Sequence, residues 1–137
     1  MNLIFVDTSA LISLGNKRDR YHQEAINIFN SLILSKTFFI TSNAVLFELG
    51  NTFSAVRYKS IALSIIEMIN HSNSWDIITL DKLLMNRGID KFRIMKDKDW
   101  SLVDCISMII AEEMEITQIF TNDHHFTQAG FNILIQP

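Results

Sequence analysis

A chain of 137 residues, 48% of them hydrophobic and with only four glycines and one proline, is long enough to bury a core as one domain. That composition excludes disordered and fibrous classes and needs no disulfide framework or structural metal. The formal charge of −3 argues against a protein that wraps a polyanion over its whole surface.

Asn2-Leu3-Ile4-Phe5-Val6 is a short, solid apolar run, which predicts a strand buried on both faces, and it ends abruptly at Asp7. The run is too short for a signal peptide, and no segment approaches bilayer-spanning length, so a soluble protein without a membrane partner is expected. A helical turn over about 9–14 closes at Gly15-Asn16, and the charged loop Lys17-Arg18-Asp19-Arg20 follows. Apolar Ala25, Ile26, Phe29, Leu32 and Ile33 at helical spacing predict a helix over 22–35. Phe38-Phe39-Ile40-Thr41 reads as the second strand, and Ser42 or Asn43 caps a helix reaching about 56. A further helix covers 59–71, a third strand 75–80, and Asp81 caps the next helix, which Gly88 is expected to break. A strongly apolar helix over 101–114, a strand over 117–121, a short helix over 124–129 and a last strand over 132–135 complete the chain. Strands alternating with helices predict an α/β fold, a mostly parallel sheet with helices on both faces. Cys105, the single cysteine, sits in an apolar stretch and fits a buried thiol in a reducing cytoplasm.

Four carboxylates stand in apolar surroundings. Asp7 and Asp123 each follow a predicted strand, where open α/β sheets place their chemistry, although both positions equally suit helix caps. Glu48 lies mid-helix in Ala44-Val45-Leu46-Phe47-Glu48-Leu49, on a face shared with Asn51, Thr52 and Ala55 that could also be plain surface. Asp104 interrupts Leu102-Val103-Asp104-Cys105-Ile106 near a helix N-terminus, where the dipole favours an anion; the bland reading is a solvent stripe continued by Glu112 and Glu115.

Carboxylates about 4 Å apart repel by ~4 kcal/mol per pair at an effective dielectric near 20. A cluster of them therefore takes up protons or binds a cation. Oxygen donors without histidine or cysteine partners suit a hard ion such as Mg²⁺ or Mn²⁺. His124 and His125 have no third ligand at zinc spacing and read as surface loop residues; His22 and His71 belong to no recognisable site. There is no glycine-rich phosphate loop and no nucleophile elbow. Lys17-Arg18-Asp19-Arg20 and the bases Lys82, Arg87, Lys91, Arg93, Lys96 and Lys98 form either a rim for an RNA backbone or a solvated face.

Asp7-Thr8-Ser9-Ala10-Leu11, a helical Glu48, Trp100-Ser101-Leu102-Val103-Asp104 and Thr121-Asn122-Asp123-His124-His125-Phe126 resemble, in order and spacing, the PIN-domain family. The likeness is to the small VapC-type toxins of prokaryotic toxin–antitoxin pairs and spans essentially the whole chain. It implies a single PIN-like domain over 1–137, a three-layer α/β/α sandwich around about five mostly parallel strands. It also implies a cytoplasmic Mg²⁺- or Mn²⁺-dependent endoribonuclease that forms a homodimer and pairs with a cognate antitoxin. Asp7, Glu48, Asp104 and Asp123 match the four acids, with Asp7 and Asp104 as principal metal ligands and Thr121 in support. The competing class is a non-catalytic PIN-fold domain that binds RNA or protein, with the acids serving as caps. Phe29, Phe53 and Ile65 either fill the core or mark a partner interface.

Overall fold

The computed structural model describes residues 2–136, which form five strands and seven helices. In chain order these are β1 (Leu3–Val6), α1 (Thr8–Gly15), α2 (His22–Leu34), β2 (Phe38–Ser42), α3 (Asn43–Thr52) and α4 (Lys59–His71). Then come β3 (Trp75–Ile78), α5 (Lys82–Ile94), α6 (Leu102–Glu113), β4 (Gln118–Phe120), α7 (His124–Gln128) and β5 (Asn132–Ile133). The strands lie in the order β3-β2-β1-β4-β5 and every pairing is parallel.

The apolar runs explain the layering. Ile4, Phe5 and Val6 of β1 and Ile119 and Phe120 of β4 are completely buried, as only strands covered on both faces can be. From β1 the chain steps through β2 to β3 in one direction, then returns to β4 and β5 on the other side. Right-handed crossovers put α1–α4 on one face and α5–α7 on the other. Consistent with this, α1 packs on α2 and α3, while α5 packs on α6. The strand order therefore reverses between β1 and β4, and the crevice beyond their carboxyl ends is the natural site of an α/β sheet.

Capping follows the sequence closely. Ser42 accepts from the Val45 amide, Asp81 from Leu84, and Asp123 from His125. Ser101 and Asp104 form a reciprocal capping box at the start of α6. Two helix boundaries differ from expectation. α3 ends at Thr52 rather than near 56, and Gly88 lies inside α5 instead of breaking it. The reason for the glycine is close packing: a Cβ at residue 88 would stand 2.5 Å from Cγ1 of Ile106 on α6.

Phe29 and Phe53 resolve to the core. Phe29 stacks on Phe120 at 6.4 Å and tilts against Phe39 at 5.4 Å, and Phe53 is 4% exposed. Ile65 also packs against the buried cluster. The exposed large apolar residues are others, among them Leu34, Phe47, Val56 and Ile94. Among the described residues, no helix is long and apolar enough to cross a membrane.

Two of the three helical glycines, Gly50 and Gly88, make opposite predictions. Gly88→Ala should destabilise the fold by about 1–2 kcal/mol, because overpacking against Ile106 exceeds the gain in helix propensity. Gly50→Ala, with nothing within 4 Å of the new Cβ, should instead stabilise it by up to ~1 kcal/mol. Urea unfolding of the two variants beside wild type measures both.

Candidate active site

Asp7, Glu48, Asp104 and Asp123 line one cleft of about 420 Å³ together with Thr8, Ser9, Thr52, Asp99, Ser101 and His125. The fold brings each acid there by a different route. Asp7 is the residue after β1, at the N-cap position of α1, yet its side chain makes no cap hydrogen bond. Asp123 begins α7 just beyond β4, Glu48 projects from the middle of α3, and Asp104 belongs to the first turn of α6. Asp7 and Asp104 are buried, at 4% and 8% exposure, while Glu48 and Asp123 are half-buried at the rim.

A chain of hydroxyls joins the two strand ends. Thr121 Oγ1 donates to Asp7 Oδ2 at 2.7 Å and accepts the Asp123 amide at 3.0 Å. Because its one proton is committed to Asp7, the 2.8 Å contact with Ser9 Oγ must be donated by Ser9, which in turn accepts the Asn122 amide at 3.1 Å. Such a chain polarises each successive bond and fixes the carboxylate it ends on. On the opposite wall, Asp104 Oδ2 accepts the Ser101 amide at 3.0 Å, and the Asp104 amide donates back to Ser101 Oγ at 3.0 Å.

The cleft is strongly electronegative. Five carboxylates line it, and among the described residues none of them pairs with a lysine or arginine. Burial pushes the Asp7 carboxyl up to about 7 from its ordinary 3.8; the Thr121 hydrogen bond opposes this, and the charges of Asp104 and Glu48 add to it. Thr8 Oγ1, beside Asp7, is buried without a hydrogen-bond partner. Uncompensated carboxylates and an orphaned hydroxyl at one point fit a divalent cation with oxygen ligands.

Two cleft residues escaped the sequence reading. Asp99, not singled out in the sequence, stands two residues before the Ser101 cap and lines the cleft. His125 is turned inward, its Nδ1 3.2 Å from Asp104 Oδ2 and 3.3 Å from Asp123 Oδ1, and is not a surface loop residue. His124 does lie at the surface, although its ring, that of His125 and the Asp123 carboxylate present donor atoms within 4.8 Å of one another. A histidine two places after an acid at a helix start was the available signal.

The bases of 82–98 are largely engaged elsewhere. Arg87 pairs with Glu113, Lys91 with Glu112, Arg93 with Asp90 and Lys98 with Asp97. Four of its six bases are thus paired, two of them with acids of α6.

Fold and cleft define an α/β protein with an acidic crevice at the switch point of a parallel sheet. Residues 4–132 match the PIN domain, and the chain belongs to that family. No match arises among curated protein sequences. Among solved structures, the chain is similar to VapC20 of Mycobacterium tuberculosis, a sarcin–ricin loop cleaving toxin. The TM-score is 0.81 at 26% identity, covering 93% of this chain and 95% of that one. VapBC2 from Rickettsia felis, solved with a DNA fragment from their promoter, shares the fold at TM-score 0.68 and 16% identity, covering 96% of each chain. FitAcB from Neisseria gonorrhoeae does so at 0.63 and 14%, covering 95% of each. Within the family the likeness is to VapC-type toxins.

The raised pKa of Asp7 sets a sign for stability. Between about pH 4 and 7 the folded metal-free protein holds a proton that the unfolded chain has released, so stability should fall as pH rises through that window. The loss attributable to Asp7 is on the order of 4 kcal/mol. In chelator, Asp7→Asn should flatten this dependence and be more stable than wild type at pH 7.5, as urea unfolding across the pH range would measure.

Proposed function

We propose that this protein is a divalent-metal-dependent endoribonuclease, the toxin of a toxin–antitoxin pair, formed by one PIN domain over residues 1–137. The observation that carries the reading is the convergence of Asp7, Glu48, Asp104 and Asp123 in one cleft, where among the described residues no lysine or arginine pairs with them. Asp7 and Asp104, the two buried acids, would hold Mg²⁺ or Mn²⁺ directly. Such an ion lowers the pKa of an attacking water and stabilises negative charge on a phosphoryl oxygen.

The chain's own residues supply the rest. Thr121 and Ser9 fix the Asp7 carboxylate, and the Ser101 amide fixes that of Asp104. Glu48 and Asp123, half-buried in the cleft, would take a proton from an approaching water or contact the ion through water. Lining residues on α1, α3, α6 and α7 confine the reacting phosphodiester, which favours a single-stranded or looped RNA over a duplex. The likeness to a toxin that cleaves the sarcin–ricin loop supports RNA as the substrate.

Similarity to VapC-type toxins supports a cognate antitoxin as partner, and an antitoxin segment presenting arginine or lysine would answer the negative cleft. The same likeness supports a homodimer. An RNA substrate and the unpaired, buried Cys105, whose thiol burial pushes up, agree with a reducing cytoplasm.

Cleavage of RNA should require Mg²⁺ or Mn²⁺ and stop in chelator. Asp104→Asn should lose at least about a hundredfold in kcat, in line with removal of one charge-stabilising group. Equal cleavage by both proteins, or indifference to chelator, would leave the non-catalytic binding domain as the better reading. Mass measured in solution across concentration should correspond to a dimer, and a strict monomer would remove the homodimer.

A further inference from the structure

His125 bridges the third and fourth acids. Its backbone amide donates to Asp123 Oδ1 at 2.9 Å, while its ring Nδ1 lies 3.2 Å from Asp104 Oδ2 and 3.3 Å from Asp123 Oδ1. Both neighbours of Nδ1 are acceptors, so Nδ1 is the protonated nitrogen. The ring is one-fifth exposed, held against the wall of the cleft rather than free in solvent.

The consequence lies in which oxygens remain. Asp104 Oδ2 already receives the Ser101 amide, and with His125 it has two protein donors. Asp123 Oδ1 receives the His125 amide and lies 3.3 Å from the ring Nδ1. Asp7 Oδ2 is taken by Thr121. Among the described residues, Asp104 and Asp123 thus each commit one oxygen to protein donors and keep the other without one.

We propose that His125 is a positioning residue that ties Asp104 and Asp123 together through Nδ1 and so orients their remaining oxygens toward the cation. This rests on the metal-centre reading above and adds to it a residue that acts through both carboxylates. No lysine or arginine reaches these two acids among the described residues, and the imidazole, hydrogen-bonded to Asp104 with its Nδ1 3.3 Å from Asp123, is the side chain that lies between them. It also couples α7 to α6, parallel to the 2.8 Å bond from Trp100 Nε1 to Gln128 Oε1. Partners that orient ligating groups in this way typically contribute 10–100-fold to metal affinity or activity.

The test is Mn²⁺ binding by calorimetry, with RNA cleavage beside it, for wild type, His125→Ala, His125→Asn and His124→Ala. The asparagine amide returns an N–H donor close to the place of Nδ1. His125→Ala should bind Mn²⁺ at least about tenfold more weakly and lose kcat with little change in KM for RNA. His125→Asn should recover most of both, and His124→Ala should bind as wild type does. Unaltered Mn²⁺ affinity in His125→Ala would overturn the proposal, as would a loss confined to KM, which would make His125 a contact to RNA. A loss in His124→Ala equal to that of His125→Ala, or an alanine variant that reverses the preference between Mn²⁺ and Mg²⁺, would make the imidazole a ligand and overturn it too. A wild type that binds no Mn²⁺ would overturn the metal centre itself, and this inference with it.

Discussion

The hydrogen bond from Thr121 Oγ1 to Asp7 Oδ2 closes the ends of β1 and β4 at the point where the chain's crossovers part to opposite faces of the sheet. Two parallel strands can pair along their length and still leave their exits free; here Asp7 and Thr121 are the residues at those exits. The Asp7 amide donates to the Phe120 carbonyl at 3.0 Å, extending the ladder by one more bond. With Thr121 fixed, the Asp123 amide and Ser9 hydroxyl fall into place around it, and α1 and α7 leave the sheet in set directions. The cleft is the space those departures leave open.

That space carries an electrostatic cost which the rest of the molecule offsets. Crowded carboxylates and a buried Asp7 oppose folding in the absence of a cation, whereas the dry strands β1, β2 and β4 and the aromatic group of Phe29, Phe39, Trp75 and Phe120 supply burial. The contrast with the opposite face is instructive. On α5 the bases meet carboxylates within ordinary surface ion pairs, each worth little. In the cleft, among the described residues, the acids have no lysine or arginine partner and stand where a ligand can reach them.

One wall of the cleft depends on contacts between α6 and α7 that span about twenty residues of sequence. The Ser101 capping box sets the first turn of α6 and with it Asp104. Trp100, buried at 6% exposure, anchors the approach to that turn by its bond to Gln128. Asp104 and Asp123 are therefore held relative to one another by the helices, and not only by the sheet.

Strand positions, parallel pairing and most caps were legible in the sequence because they follow from local rules: unbroken apolar runs, helical periodicity and Ser or Asp at helix starts. Asp7, Glu48, Asp104 and Asp123 stood out for the same reason, as charges set where hydrophobic residues belonged. Gly88 was misread because a glycine that breaks a helix and one that lets two helices approach look identical until Ile106 is seen against it. Phe29, Phe53 and Ile65 were ambiguous because an apolar side chain has no sign of its partner. Asp99 and His125 acquire their place only when α6 and α7 meet, since no periodicity within either segment points them at the cleft. The sequence by itself determined which segments would form strands and helices and which charges stood among apolar neighbours. Tertiary structure decided which of those charges face one another, because that depends on distances between segments far apart in the chain.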